Sequence, residues 1–149
     1  MESCYLLGDF GVEVFGKEKR IIGAGKVVFG DLTRQACPLR REPYIPMQVY
    51  SSRRPYALRA QYFSGPLLGA AVDGKRTGSI AFAPYEVDLG DLEAGEHLLE
   101  ITAFGNRYHT FGQLHNCDRN YSWFASCSWR TKNDRWSDEY MLKELGILV

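Results

Sequence analysis

Punctuation between residues 56 and 104 limits this chain more than anything else in it. Apolar and alternating runs there are cut by turn signals before any of them reaches helical length. In residues 56–63, Tyr56, Leu58, Ala60 and Tyr62 share one face, and Ala57, Arg59 and Gln61 the other. Such period-two alternation predicts a half-buried strand. Ser64-Gly65-Pro66 interrupts it, residues 67–72 form an apolar run, and Asp73-Gly74 follows. Asp-Gly between two such runs predicts a tight hairpin, because a type I′ turn needs positive φ at both central residues and Gly74 adopts it without a Cβ clash. The return strand is read at 78–82. A strand at 85–89 follows, with Tyr85, Val87 and Leu89 inward, then a turn at 90–96 and a strand at 97–104. Short strands with turns about every 8–12 residues predict a sandwich or barrel. No connection has room for a helical crossover, so antiparallel pairing is expected.

The remaining segments are shorter. Residues 4–15 alternate at Val12, Glu13 and Val14, residues 20–22 make a second short strand, and 26–34 another apolar element. Residues 35–46 carry three prolines and predict an irregular crossing, since proline cannot donate to a ladder. A strand is expected at 47–50, with Arg53-Arg54-Pro55 ending it, and a last strand at 139–145. The only helical signal is one turn within 134–140, where Ser137 is placed to cap it. The chain opens directly on strand-like residues, which suggests a piece of something longer.

Residues 106–136 are different. They hold all three tryptophans (Trp123, Trp129 and Trp136), and also His109, His115, Cys117 and Cys127. No helical or strand period runs through them, so they read as a long connection between two strands. Long connections inside compact domains are usually functional or disordered, and this one is too aromatic for disorder. An aromatic ring can stack on the apolar face of a pyranose while neighbouring polar groups bond its hydroxyls. The candidate contacts are Asn106, Arg107, His109, His115, Asn116, Asp118, Tyr121, Trp123, Trp129, Arg130 and Trp136. Two other readings stand beside this one. The rings can pin the segment to the scaffold, with indole N–H groups bonded to carbonyls, or they can form a docking face for another domain or a second copy.

Lys and Arg total 18 and Asp and Glu total 18, so the chain has no net charge to attract nucleic acid or an anionic membrane. No run approaches the roughly 20 apolar residues of a spanning helix, and the first residues lack the basic start and apolar core of a signal peptide. A cytoplasmic location with free thiols is expected. The four cysteines, at 4, 37, 117 and 127, are scattered and fit no common zinc spacing. Hydrolysis of a glycoside needs two facing carboxyl groups; Asp118 with Asp134 or Asp138 are the candidates, and most such acids are solvated loop residues. No nucleophile elbow, P-loop or zinc-protease motif is present, so no catalytic residue is assigned.

The run V-D-G-K-R-T-G-S-I-A-F-A-P-Y-E-V-D-L-G-D-L-E-A-G-E-H-L-L-E-I-T-A-F-G-N, residues 72–106, resembles the galactose-binding-like jelly-roll domains attached to bacterial glycoside hydrolases, including the sugar-binding domain of family 2 enzymes. L-L-G-D-F-G-V at 6–12, F-G-D-L-T at 29–33 and W-S-D-E-Y-M-L-K-E-L-G-I-L at 136–148 look like the C-terminal accessory domain of large bacterial hydrolases. After Gln35 the chain departs from the glycine- and aromatic-rich crossing of such domains, carrying A-C-P-L-R-R-E-P-Y instead. The resemblance implies one all-β domain over residues 1–149, an antiparallel β-sandwich of jelly-roll type. It also implies a non-catalytic role in a longer hydrolase, binding carbohydrate through 106–136 or docking on the catalytic domain, with a homodimer as one form of docking. Domains of this kind often carry a structural calcium, for which Asp118 and Asp134 are the available oxygens, although no loop has the calcium-loop ligand spacing.

Overall fold

A computed structural model describes residues 6, 8–35, 44–118, 120 and 133–148. The Asp73-Gly74 hairpin forms as expected. β6 (Leu68–Val72) and β7 (Lys75–Ile80) pair antiparallel across it. Asp73 and Gly74 have φ of 50° and 76°, as a type I′ turn requires. With β3 (Tyr44–Ser51) and β9 (Gly95–Ala103) they form a four-stranded antiparallel sheet in the order β3-β9-β6-β7. A second pair, β4 (Arg54–Arg59) with β8 (Glu86–Leu92), covers one face of it. Leu68, Val72, Ile80, Leu99, Ile101 and Ala103 from the first sheet pack with Leu92, Tyr56, Leu58, Val87 and Leu89 from the second. This is an antiparallel all-β sandwich.

Side-chain size sets how closely the layers approach. β6 reads L-G-A-A-V and is buried along nearly its whole length between two neighbours. A Cβ on Gly78 of β7 would lie 2.5 Å from Val87 Cγ2 of β8, so these strands approach where a side chain is missing.

Two β-bulges account for where the alternation is misleading. In β8, Tyr56 pairs with Gly90 and Ala57 with Asp88, leaving Leu89 over. A bulge places two residues against one and shifts the side-chain phase. Val87 and Leu89 therefore face in, and two residues after Gly90 so does Leu92, which is buried. The turn expected at 90–96 is thus strand as far as Leu92 and again from Gly95. In β7, Thr77 is the extra residue and its hydroxyl donates to Ala70 O at 3.1 Å.

Other expectations need correction. β3 starts at Tyr44, so Pro46 lies in a strand rather than in a crossing; β3 is an edge strand, where a missing N–H is tolerated. Tyr85, expected inward, is 42% exposed, and Tyr62, placed on one face with Tyr56, Leu58 and Ala60, is 73% exposed. β4 ends at Arg59, and Phe63 and Ser64 form a separate short strand, β5. Tyr85 has φ of 57°, which turns it out of the strand pattern before β8 begins. Residues 26–34 contain a 3-10 turn, Leu32–Arg34, capped by Asp31. Residues 139–145 do not form the expected strand; only Gly146–Ile147, β10, pairs with β5. The β1 (Phe10–Phe15) and β2 (Glu18–Gly23) hairpin occurs as expected.

The C-terminal segment is held against residues 30–32. Gly30 and Leu32 N–H groups donate to Ile147 and Leu145 carbonyls, both at 2.7 Å. Asp31 Oδ1 accepts from Thr33 N, Thr33 Oγ1 and Leu145 N. This clasp brings residues 31–34 beside residues 140–145 and forms one wall of a cleft.

Candidate functional site

The other wall is built from the described part of 106–136. Phe104 and Gly105 leave β9, and a short helix follows at Arg107–Phe111. Asn106 caps it, its side-chain oxygen accepting from His109 N at 3.0 Å. The helix stops at Gly112, whose N–H donates to Tyr108 O at 2.8 Å. The long connection is therefore helical at its start, which the sequence pattern does not show; five residues are too few to display a period.

Residues 133–143 then run back along 109–117. Cys117 N donates to Arg135 O, Ser137 N to His115 O, and Met141 N to Leu114 O. Lys143 N donates to His109 Nε2 at 3.0 Å. These bonds replace the ladder that a regular strand at 139–145 would have made. Tyr140 N donates to Gly16 O, tying the lobe to the β1–β2 turn.

Between the walls lies a cleft of about 910 Å³. Its aromatic surface comes from Tyr108 and Tyr140, and Met141 and Leu142 add apolar surface. Asp31, Thr33 and Arg34 line one side, Gln113, Asn116 and Asp118 another, and Lys143 and Glu144 are also present. Tyr108 donates to Gln113 O at 3.1 Å, and burial raises its phenol above the ordinary value. Lys143 Nζ sits 4.6 Å from the centre of the Tyr108 ring.

Two rings pack behind Tyr140. His115 lies against Trp136 at 4.4 Å with 21° between planes, and against Tyr140 at 4.5 Å. His115 Nδ1 is 2.9 Å from Ser137 O, which can only accept, so that nitrogen carries the hydrogen. Trp136 Nε1 donates to Asp138 Oδ1 at 3.1 Å, and Trp136 is 51% exposed.

A chain of amides ends at an unmet donor. Asp118 N donates to Asn116 Oδ1 at 2.9 Å, and Asn116 Nδ2 donates to Gln113 Oε1 at 2.6 Å. Gln113 is 6% exposed, and among the described residues its Nε2 has no partner. Leaving a buried donor unmet costs about 1–3 kcal/mol, so the position asks for an explanation.

Comparison with protein-family models, with curated proteins and with solved structures found no match. The residues themselves must carry the reading.

Of the residues the sequence singled out, Asn116 and Asp118 line the cleft. His115 and Trp136 are in the ring stack behind it. His109 supports the cleft wall through Lys143 N; burial lowers its basicity, and accepting that N–H keeps Nε2 unprotonated. Asn106 is a helix cap, and Arg107 is exposed and not among the described lining residues. Tyr121, Trp123, Trp129 and Arg130 lie outside the described residues. Sequence reasoning missed Gln113, Tyr108, Tyr140, Lys143 and residues 31–34. Asp31-Leu32-Thr33 does carry a capping signal, but nothing local says that it faces residues 140–145.

Asp118 accepts from Asn120 N at 3.0 Å and pairs with Arg135 at 3.6 Å. Asp118 and Asp138 are thus each committed to a structural partner. Among the described residues no group of three or more His, Cys, Asp or Glu side chains is placed to hold a metal ion. Cys117 is a free thiol against Arg135 O at 3.2 Å, and the other three cysteines lie outside the described residues. Among the described residues no helix is long and apolar enough to cross a membrane.

Proposed function

We propose that this chain is a non-catalytic, carbohydrate-binding accessory domain of a bacterial glycoside hydrolase, with a galactose-binding-like jelly-roll frame. It contacts saccharide where residues 106–118 and 140–144 meet 31–34. The cleft is the single observation that supports this reading. Its volume of about 910 Å³ is in the range of small-ligand sites, and it combines tyrosine rings with converging amides, carboxylates and an ammonium. Asp31 and Asp138 each hold part of the fold together, while Asp118 keeps acceptor capacity beyond its structural partners, which supports binding better than catalysis by these three acids.

Titration with a panel of neutral and acidic glycans, followed by tryptophan fluorescence and calorimetry, tests this. Saturable binding of at least one saccharide is expected, and a panel without any response removes the reading. The alternative is a domain that docks on the catalytic domain or on a second copy. Phe82, Tyr62 and Tyr85 favour it, being 85%, 73% and 42% exposed in neighbouring turns. Sedimentation showing a concentration-dependent dimer, together with no glycan response, would select that alternative.

A further inference from the structure

We infer that Gln113 Nε2 and the Asp118 carboxylate supply a donor and an acceptor to hydroxyl groups of a neutral, polyhydroxylated ligand in the cleft. This deepens the saccharide reading and rests on it.

Backbone geometry fixes the direction of every amide in the chain leading to Gln113. The N–H of Asp118 can only donate, so the Asn116 atom facing it is Oδ1. Asn116 Nδ2 must then point at Gln113 and donate, and the Gln113 atom receiving it is Oε1. Flipping Gln113 would set two NH₂ groups against each other. Nε2 is therefore left as a donor by covalent necessity, on a residue that is buried and that lines the cleft.

Asp118, whose backbone N–H begins that chain, lines the same cleft. Its Oδ1 takes one N–H, from Asn120, and its Oδ2 is 3.6 Å from Arg135 Nε. A carboxylate offers about four lone-pair sites, so acceptor capacity remains. Asp31, another carboxylate of the cleft walls, is filled: Oδ1 takes three donors and Oδ2 faces Arg34.

Ligand chemistry follows from this pairing. Hydroxyl groups of one ligand can accept from Gln113 Nε2 and donate to Asp118. A ligand carboxylate or phosphate beside Asp118 would meet it with like charge. An apolar ligand would leave both groups unmet. The pair therefore favours a neutral sugar over its uronate.

Calorimetry with the methyl glycosides of glucose, galactose, mannose and xylose provides the test, followed by the monodeoxy forms of the tightest binder and its uronate. We expect one deoxy form to lose about tenfold or more in affinity, and the uronate to bind more weakly than the neutral sugar. Asp118→Asn keeps an oxygen for Asn120 N–H; it should weaken the neutral sugar and shrink the discrimination against the uronate, a change that a purely structural role would not produce. Gln113→Glu keeps the acceptor for Asn116 and should lose affinity. Should that variant not fold, the Gln113 side-chain amide signal of the unaltered protein, observed by ¹⁵N NMR, should shift on saturation with the sugar. Binding with a flat deoxy series, or with the uronate as tight as the neutral sugar, overturns the inference while the saccharide reading stands. No binding of any glycoside overturns both.

Discussion

Two histidines give opposite dependences on pH. His97 has Nδ1 2.7 Å from Asp73 Oδ2 and Nε2 2.9 Å from Glu93 O. Both nitrogens face acceptors, so the imidazolium is the form that meets both. The hydrogen bond to Asp73 raises the His97 pKa above its ordinary value, and the same bond lowers that of Asp73. A raised histidine pKa stabilises the fold below the unfolded value of about 6.5, and that contribution fades as pH rises through the folded pKa. The lowered Asp73 pKa stabilises above about pH 3.9 and is lost on further acidification. The pair therefore contributes most between those limits. His97→Gln should lower Tm more at pH 5.5 than at pH 8; an equal loss at both would contradict the assignment. His109 runs the other way. Burial lowers its pKa, so its contribution is complete above about pH 6.5 and declines as pH falls. His109→Gln should lose less stability than the unaltered protein between pH 7 and pH 5, measured by denaturant unfolding.

Gly146 and Trp136 carry residue-scale predictions of a different kind. A Cβ at Gly146, where φ is 124°, would lie 2.5 Å from Gly30 O and 2.8 Å from Leu32 Cγ. Gly146→Ala should cost about 2 kcal/mol or more in denaturant unfolding, from backbone strain and from loosening the clasp around Asp31. Trp136→Ala removes the stack on His115 and should cost about 0.5–1.5 kcal/mol beyond the lost area.

At the scale of elements, the hairpin and the strands around it were legible because each rule there is local. Asp73-Gly74 sets its own turn, and Leu99, Ile101 and Ala103 alternate as written. Gly74→Val should cost about 1–2 kcal/mol, since a β-branched residue is forced into left-handed backbone at φ of 76°; unchanged thermal melting would count against the turn. Three misreadings came from partners distant in sequence. The bulge at Leu89 depends on how β4 meets β8, and it moved Leu92 into the core against the written alternation. Residues 139–145 have a strand-like composition, but their N–H groups go to Gly16, Leu114 and His109 and not to a neighbouring strand. Pro46 was read as a break because its edge position could not be seen from one sequence.

At the scale of the whole molecule, the sandwich supplies the frame, and residues 106–118 and 133–144 pack as an irregular lobe beside it. The sequence located that lobe by its rings and amides. The cleft was not legible, because its second wall comes from residues 31–34, more than seventy positions earlier, held in place by Asp31. The central claim is that a saccharide enters between those walls. Backbone ¹⁵N–¹H shift mapping with the tightest-binding methyl glycoside tests it most directly. The account predicts shifts concentrated at residues 31–34, 108–118 and 140–144; shifts confined to the turns carrying Tyr62, Phe82 and Tyr85 at saturating sugar would contradict it.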